Sequence, residues 1–224
     1  MGIISIEKAD HLFWLGRYTE RVFTTLQTFF KYFDQMLDRD DKAYKTFCEK
    51  LAIPVIYEDM DDFIAKYLFS AEDPNSVYSN MMRAFDNAVI LRDELSSDTL
   101  SYIQMALDCM EHSKIHANAL VYDLQPVKDY LFAFWGCLDD NVEDEEARNI
   151  IKCGKYLERL DLYMRLHFPY PYIEKEFSKF LNRLHKVRIG YNLAEADRLK
   201  EVIGLGDGWA VRQQEALAAL WNIF

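Results

Sequence analysis

Apolar positions recur at steps of three and four along most of the chain, so the pattern predicts helices joined by polar turns, with no convincing strand. Leu15, Tyr18, Val22, Leu26, Phe29, Phe33 and Met36 form the first series and predict a helix over 6–37, closed by the polar run "DRDDK". Shorter helices follow over 42–51, ahead of Pro54, and in "DMDDFIAKYLFS", whose leading acids favour the positive end of a helix. The helical period returns over 76–95. "SSD" at 96–98 breaks it and caps a helix over 99–122, while Pro126 fits the first turn of another that ends near Leu138. Beyond the acidic run "DDNVEDEE" a helix over 145–168 is expected, then a turn at "FPYPY", where each proline removes a donor and disfavours helix in its predecessor. The rest reads as helices over 173–187, over 193–203 behind an Asn192/Glu195 capping box, and over 209–223 after the glycines of "GLGDG".

The first helix is apolar on most sides, because Phe13, Phe23 and Phe30 lie off the Leu15/Val22/Phe29 stripe, which marks it as central. Yet "WLGRYTERV" places Gly16, Arg17, Glu20 and Arg21 inside it. "KCGKYLERL" repeats Gly-[Arg/Lys]-Tyr-x-Glu-Arg 138 residues later, Gly16 to Gly154, with Lys155, Glu158 and Arg159 in the matching places. An unpaired buried charge costs roughly several kcal/mol, so partners are required. At about 100° per residue, Glu20 and Arg21 diverge and cannot neutralise one another. The partners are therefore expected across the helices: Glu20 with Arg159 or Lys155, and Glu158 with Arg21 or Arg17, with both glycines letting the backbones approach. Two readings stay open: a closed network that fixes the register of the bundle, or a polar pocket that binds a carboxylate or phosphate through Arg17, Arg21 and Arg159.

Composition narrows the function classes. With 224 residues, half of them apolar, a single helical domain over 1–224 is expected, and 15% aromatic residues predict a core dense in rings. A net charge of −11 and the lack of any Lys/Arg-rich block argue against nucleic-acid or anionic-membrane surfaces. The longest greasy patch, "YLFAFWGCL" at 130–138, is too short to span a bilayer, and no leader pattern opens the chain. Cys48, Cys109, Cys137 and Cys153 form no CxxC pair and read as reduced core residues of a cytoplasmic protein. No metal is expected. None of the five histidines follows a glutamate at the Glu-x-x-His spacing of di-metal bundles, and Asp108, His112 and His116 share one helical face without a second ligand cluster. No cofactor is expected either: Gly204, Gly206 and Gly208 follow a helix rather than a strand, which suits an interhelical turn, and no nucleophile elbow is present.

Three motifs in order, "HLFWLGRYTER", "AFDNAVILRDELS" and "GKYLERLD", resemble the bacterial alpha-E domain family over about 10–165. In the middle motif Ala84, Asn87, Ala88, Arg92, Asp93 and Ser96 match the family pattern, Asp86 replaces a glutamate, and Phe85 and Val89 replace two of its arginines; Lys155 replaces the arginine of the second Glu-Arg copy. The resemblance implies an all-α multi-helix bundle that accompanies ATP-grasp amide ligases and transglutaminase-like peptidases in making or modifying peptides. On that basis the chain is expected to be a non-catalytic accessory or binding subunit, with a homo-oligomer left open. Asn87 would complete the polar cluster, with Arg92 and Asp93 pairing across helices. Two alternatives remain: an enzyme acting on an amide or peptide, with Glu20 or Glu158 as the acid–base group and the arginines as anion stabilisers, and a structural oligomerisation module.

Overall fold

Ser5 begins the first helix by accepting a hydrogen bond from the Lys8 amide, and the same device recurs at Asp59, Ser76, Asp144 and Asn192, each capping the helix that follows it. The structure, a computed structural model, describes residues 4–113 and 120–224, with side chains from residue 123 onward in the second stretch. Its helices are α1 (Ile6–Asp38), α2 (Ala43–Leu51), α3 (Met60–Phe69), α4 (Val77–Ile90), α5 (Ser97–Ser113), α6 (Leu120–Asn141), α7 (Glu145–Arg165), α8 (Tyr170–Leu184), α9 (Leu193–Ile203) and α10 (Gln213–Trp221). A 3₁₀ turn, Gly206–Arg212, precedes α10. No strand occurs among the described residues. No described helix is long and apolar enough to cross a membrane.

α1 is the hub, packing most extensively on α7 and α4, while α5 pairs with α6, α8 covers α7, and α9 with α10 closes one end. Leu12, Leu15, Val22, Leu26 and Phe29 of α1 are fully enclosed, and Phe13 and Phe23 are buried on its other sides, as expected of a central helix. Rings dominate where α1 meets α2 and α3: Phe63 stacks on Tyr67 at 5.1 Å and lies 6.0 Å from Phe29.

The helical pattern misplaces several boundaries. Pro126 lies inside α6, not in its first turn. Leu124, Val127, Leu131, Phe134 and Leu138 are all buried at helical spacing, so burial on both sides of the proline outweighs its missing hydrogen bond. α4 stops at Ile90 because consecutive turns over 91–95 bury both Leu91 and Leu95. α7 stops at Arg165, where His167 adopts a left-handed φ of 54° and the Phe168 amide reaches back to the Tyr163 carbonyl. α8 starts at Tyr170, earlier than Ile173, because Pro171 is tolerated in a first helical turn. The junction between α5 and α6, and with it His116, lies outside the described residues. Cys48 and Cys153 are buried, whereas Cys109 and Cys137 are only half-buried; all four are free thiols.

At the seam of α1 and α7 the two backbones touch. A Cβ added at Gly16 would sit 2.0 Å from the Ile151 carbonyl oxygen, and one at Gly154 would sit 2.1 Å from that of Phe13. Contacts advance together along both helices, Gly16 against Ile151 and Glu20 against Arg159, so they run parallel. Gly136 in α6 has nothing within 4 Å of an added Cβ. Gly16→Ala is therefore expected to destabilise the fold by at least about 2 kcal/mol, whereas Gly136→Ala stabilises it by roughly 0.5–1 kcal/mol. Urea denaturation of the two variants checks this pair of opposite signs.

Candidate functional site

Parallel packing with touching glycines puts equivalent motif positions side by side, so each glutamate meets the arginine of the other copy. Arg21 Nε donates to Glu158 Oε1 at 2.5 Å, and Arg159 Nε donates to Glu20 Oε1 at 2.6 Å. The pairing is reciprocal, as the spacing predicts. Both carboxylates are fully buried.

The remaining contacts break the symmetry. Glu20 is held by a fork, since Arg159 Nη2 also donates to Oε2 at 2.9 Å and the Thr24 hydroxyl donates to Oε1 at 2.6 Å. Glu158 instead receives Arg17, whose Nε donates to Oε2 at 2.9 Å. Arg17 Nη2 lies 2.8 Å from the same oxygen without hydrogen-bond alignment, so the Nε contact is the bond and Nη2 adds charge alone. The Arg17 guanidinium is sandwiched between the rings of Trp14 (4.6 Å) and Trp221 (4.3 Å), which shield it from water. Burial alone would raise the Glu158 carboxyl, but Arg21 and Arg17 outweigh it and hold the group below its ordinary value. Its pairing therefore stabilises the fold at neutral pH, and the contribution is lost as the pH falls through the lowered folded value.

Lys155 stands where the first copy has Arg17, yet among the described residues it forms no ion pair. Its ammonium sits 3.8 Å from the centre of the Trp135 ring. Burial brings its pKa down to about 7, only partly opposed by the charge of Glu20. On the outer side of Arg159, α8 supplies a second acceptor: Arg159 Nη1 donates to Glu176 Oε2 at 3.3 Å, and Lys179 donates to the other oxygen of Glu176 at 2.7 Å.

Three of the expected residues do not join this cluster. The Asn87 amide donates to the Arg83 carbonyl and its oxygen contacts His11 Nδ1 at 2.8 Å, so it is consumed within α4 and its contact with α1. Arg92 and Asp93 do not pair across helices. They lie in the turn after α4, mostly exposed, and approach each other only at 3.8 Å, because the early end of α4 turns both outward.

Arg17 borders a mainly apolar cleft of about 310 Å³ with Phe13, Trp14, Leu220 and Phe224 but is itself almost fully buried, whereas Arg21 borders a second cleft and is the more exposed of the two. The Arg21 side chain is 28% exposed, against 4% for Arg17. This second cleft, of about 270 Å³, is lined by Arg21, Thr25, Tyr67, Asn75, Arg165 and Trp221 among others. Arg165 Nε donates to Asp161 Oδ2 at 2.8 Å and the Trp221 indole donates to Oδ1 at 2.8 Å. Burial, reinforced by nearby Glu158, raises the Asp161 carboxyl despite these partners. A larger cleft of about 510 Å³, lined by Ile4, Ile6, Phe13 and Phe224, includes no Glu-Arg residue. No group of three or more His, Cys, Asp or Glu side chains among the described residues has a metal-binding arrangement.

A model of the Alpha-E family, described as a predicted alpha-helical domain with a conserved ER motif, matches residues 7–170. The chain belongs to the Alpha-E family. The matched stretch of this Alpha-E protein runs from the first turn of α1 to the start of α8 and includes both Glu-Arg pairs and Arg165, while Trp221 lies beyond it. No curated protein and no solved structure matches the chain. Arg165, Thr24, Glu176 and Trp221 are partners that the repeated motif does not reveal. Asp161 and Arg165 follow Glu158 at three and seven residues, a spacing that puts them on its face of α7 and could have exposed the first of them.

Lys155 offers a direct test of this electrostatic arrangement. Between pH about 7 and its ordinary value of 10.5 the unfolded chain holds a proton on Lys155 that the folded chain releases, so stability rises with pH there. The slope from one such group is at most about 1.4 kcal/mol per pH unit. Lys155→Met is expected to be more stable than the wild type at pH 7, with the difference shrinking towards pH 10. Urea denaturation at several pH values would expose an error in this account if the two stability curves ran parallel.

Proposed function

We propose that this Alpha-E chain is a non-catalytic helical accessory subunit of a peptide-forming system, serving an ATP-grasp amide ligase or a transglutaminase-like peptidase in the cytoplasm. The observation that carries the non-catalytic part is the closure of the repeated motif: Glu20 and Glu158 are fully buried, and each oxygen of both is already held by a guanidinium. A general acid or base needs a carboxyl within reach of a substrate proton and a pKa near the working pH. Glu158 is held below its ordinary value, which favours permanent ionisation, and Glu20 has no exposed oxygen. The partner class rests on the family resemblance of the three motifs. A rigid bundle whose two central helices are pinned in register suits a subunit that presents a fixed surface.

Affinity purification of the tagged chain from its native cells, followed by mass spectrometry, tests the proposal. Recovery of an ATP-grasp ligase or a transglutaminase-like protein in stoichiometric amount is expected. Recovery of neither with abundant folded bait, or amide synthesis or cleavage by the purified chain alone, contradicts it.

A further inference from the structure

The two halves of the Glu-Arg exchange differ on their outer edges. All three nitrogens of Arg159 are engaged, two by Glu20 and the third by Glu176 of α8. Arg21, its equivalent, uses only Nε, on Glu158; among the described residues neither Nη atom donates a hydrogen bond. Arg165 is in the same position, with Nε on Asp161 and no described acceptor for its Nη pair. Both arginines line the 270 Å³ cleft, as does Asn75, whose side-chain amide has no described partner. Two planar donor forks and an amide thus border one small space, while Trp221, Tyr67 and Leu162 provide its apolar walls.

We propose that this cleft is a carboxylate-binding site, in which a small monoanion, either a free organic acid or the C-terminal carboxylate of a peptide, bridges the outer edges of Arg21 and Arg165. The ligand would stand to Arg21 as Glu176 stands to Arg159. Charge selects a monoanion: Arg17, Arg21 and Arg165 face Glu158 and Asp161, three cations to two carboxylates, a surplus of one positive charge. A dianionic phosphate would leave excess negative charge beside two buried carboxylates. The flat guanidinium forks match the two oxygens of a carboxylate, and the indole, locked by its bond to Asp161, receives the apolar group attached to it. The site stands whether or not the chain serves a ligase, and its test is independent of partner recovery.

Calorimetric titration of the full chain with N-acetyl-leucine, with N-acetyl-leucinamide, with a tripeptide ending in leucine and with inorganic phosphate tests the proposal. The two carboxylates are expected to bind with dissociation constants on the order of 1 mM or tighter, and the tighter of them identifies free acid or chain end as the source. The amide should not bind. Arg165→Gln should weaken carboxylate binding on the order of tenfold or more, and Asn75→Ala by less. Should Arg165→Gln fail to fold, the wild-type NMR spectrum carries the same information: the carboxylates should shift the Trp221 indole and the Arg21 and Arg165 Nε–H resonances. Absence of binding by either carboxylate, equal binding of the amide, preference for phosphate, undiminished binding in a folded Arg165→Gln protein, or shifts elsewhere in the molecule would overturn the proposal.

Discussion

Two glutamates taken wholly out of water at the contact of two helices set the terms for the rest of the fold. Desolvating a carboxylate costs several kcal/mol, and attraction to a guanidinium offsets it only with close, aligned geometry. That geometry requires α1 and α7 to approach until their backbones touch, which only glycine permits at positions 16 and 154. The surroundings of the seam follow from the same need: rings of Trp14 and Trp221 cover Arg17, and Trp135 covers Lys155. Breaking a pair would leave an unanswered charge in the protein interior, which makes the exchange a strict determinant of register.

The departure from symmetry is what separates structure from candidate chemistry. In one half, Thr24 and Glu176 complete the coordination of Glu20 and Arg159, and the network is closed. In the other, Arg17 and Arg21 share Glu158 between them, so each spends fewer donors on it. The unspent donors of Arg21 then face the cleft that Arg165 also borders. The same repeated sequence therefore produces a bolt on one side and an open edge on the other, and the difference lies in neighbours contributed by α8 and α10.

Much of this was legible in the chain. Helical periodicity and caps such as Asn192 placed most helices, and the matched motifs predicted both Glu-Arg pairs and the glycine contact, because identical residues on parallel helices have few other ways to satisfy buried charge. Local pattern failed where tertiary burial overrode propensity, as at Pro126, where Leu124 and Val127 keep the helix going. It also failed for Asn87, which is spent on Arg83 and His11, and for Arg92 and Asp93, whose roles depend on where α4 ends, and the turn that buries Leu91 and Leu95 leaves no periodic signal. Glu176 and Trp221 come from later helices that carry no copy of the motif, so nothing in the chain ties them to the seam.

The central claim is that each glutamate is buried for the arginine of the other helix, and a double-mutant cycle on Glu20 and Arg159 measures it most directly. In urea denaturation, Glu20→Met and Arg159→Met should each lose roughly 3–5 kcal/mol, while the double variant should lose far less than their sum, giving a coupling energy above about 2 kcal/mol. Single losses of about 0.5 kcal/mol or less, the scale of an ordinary surface substitution, or strictly additive losses, would contradict the account.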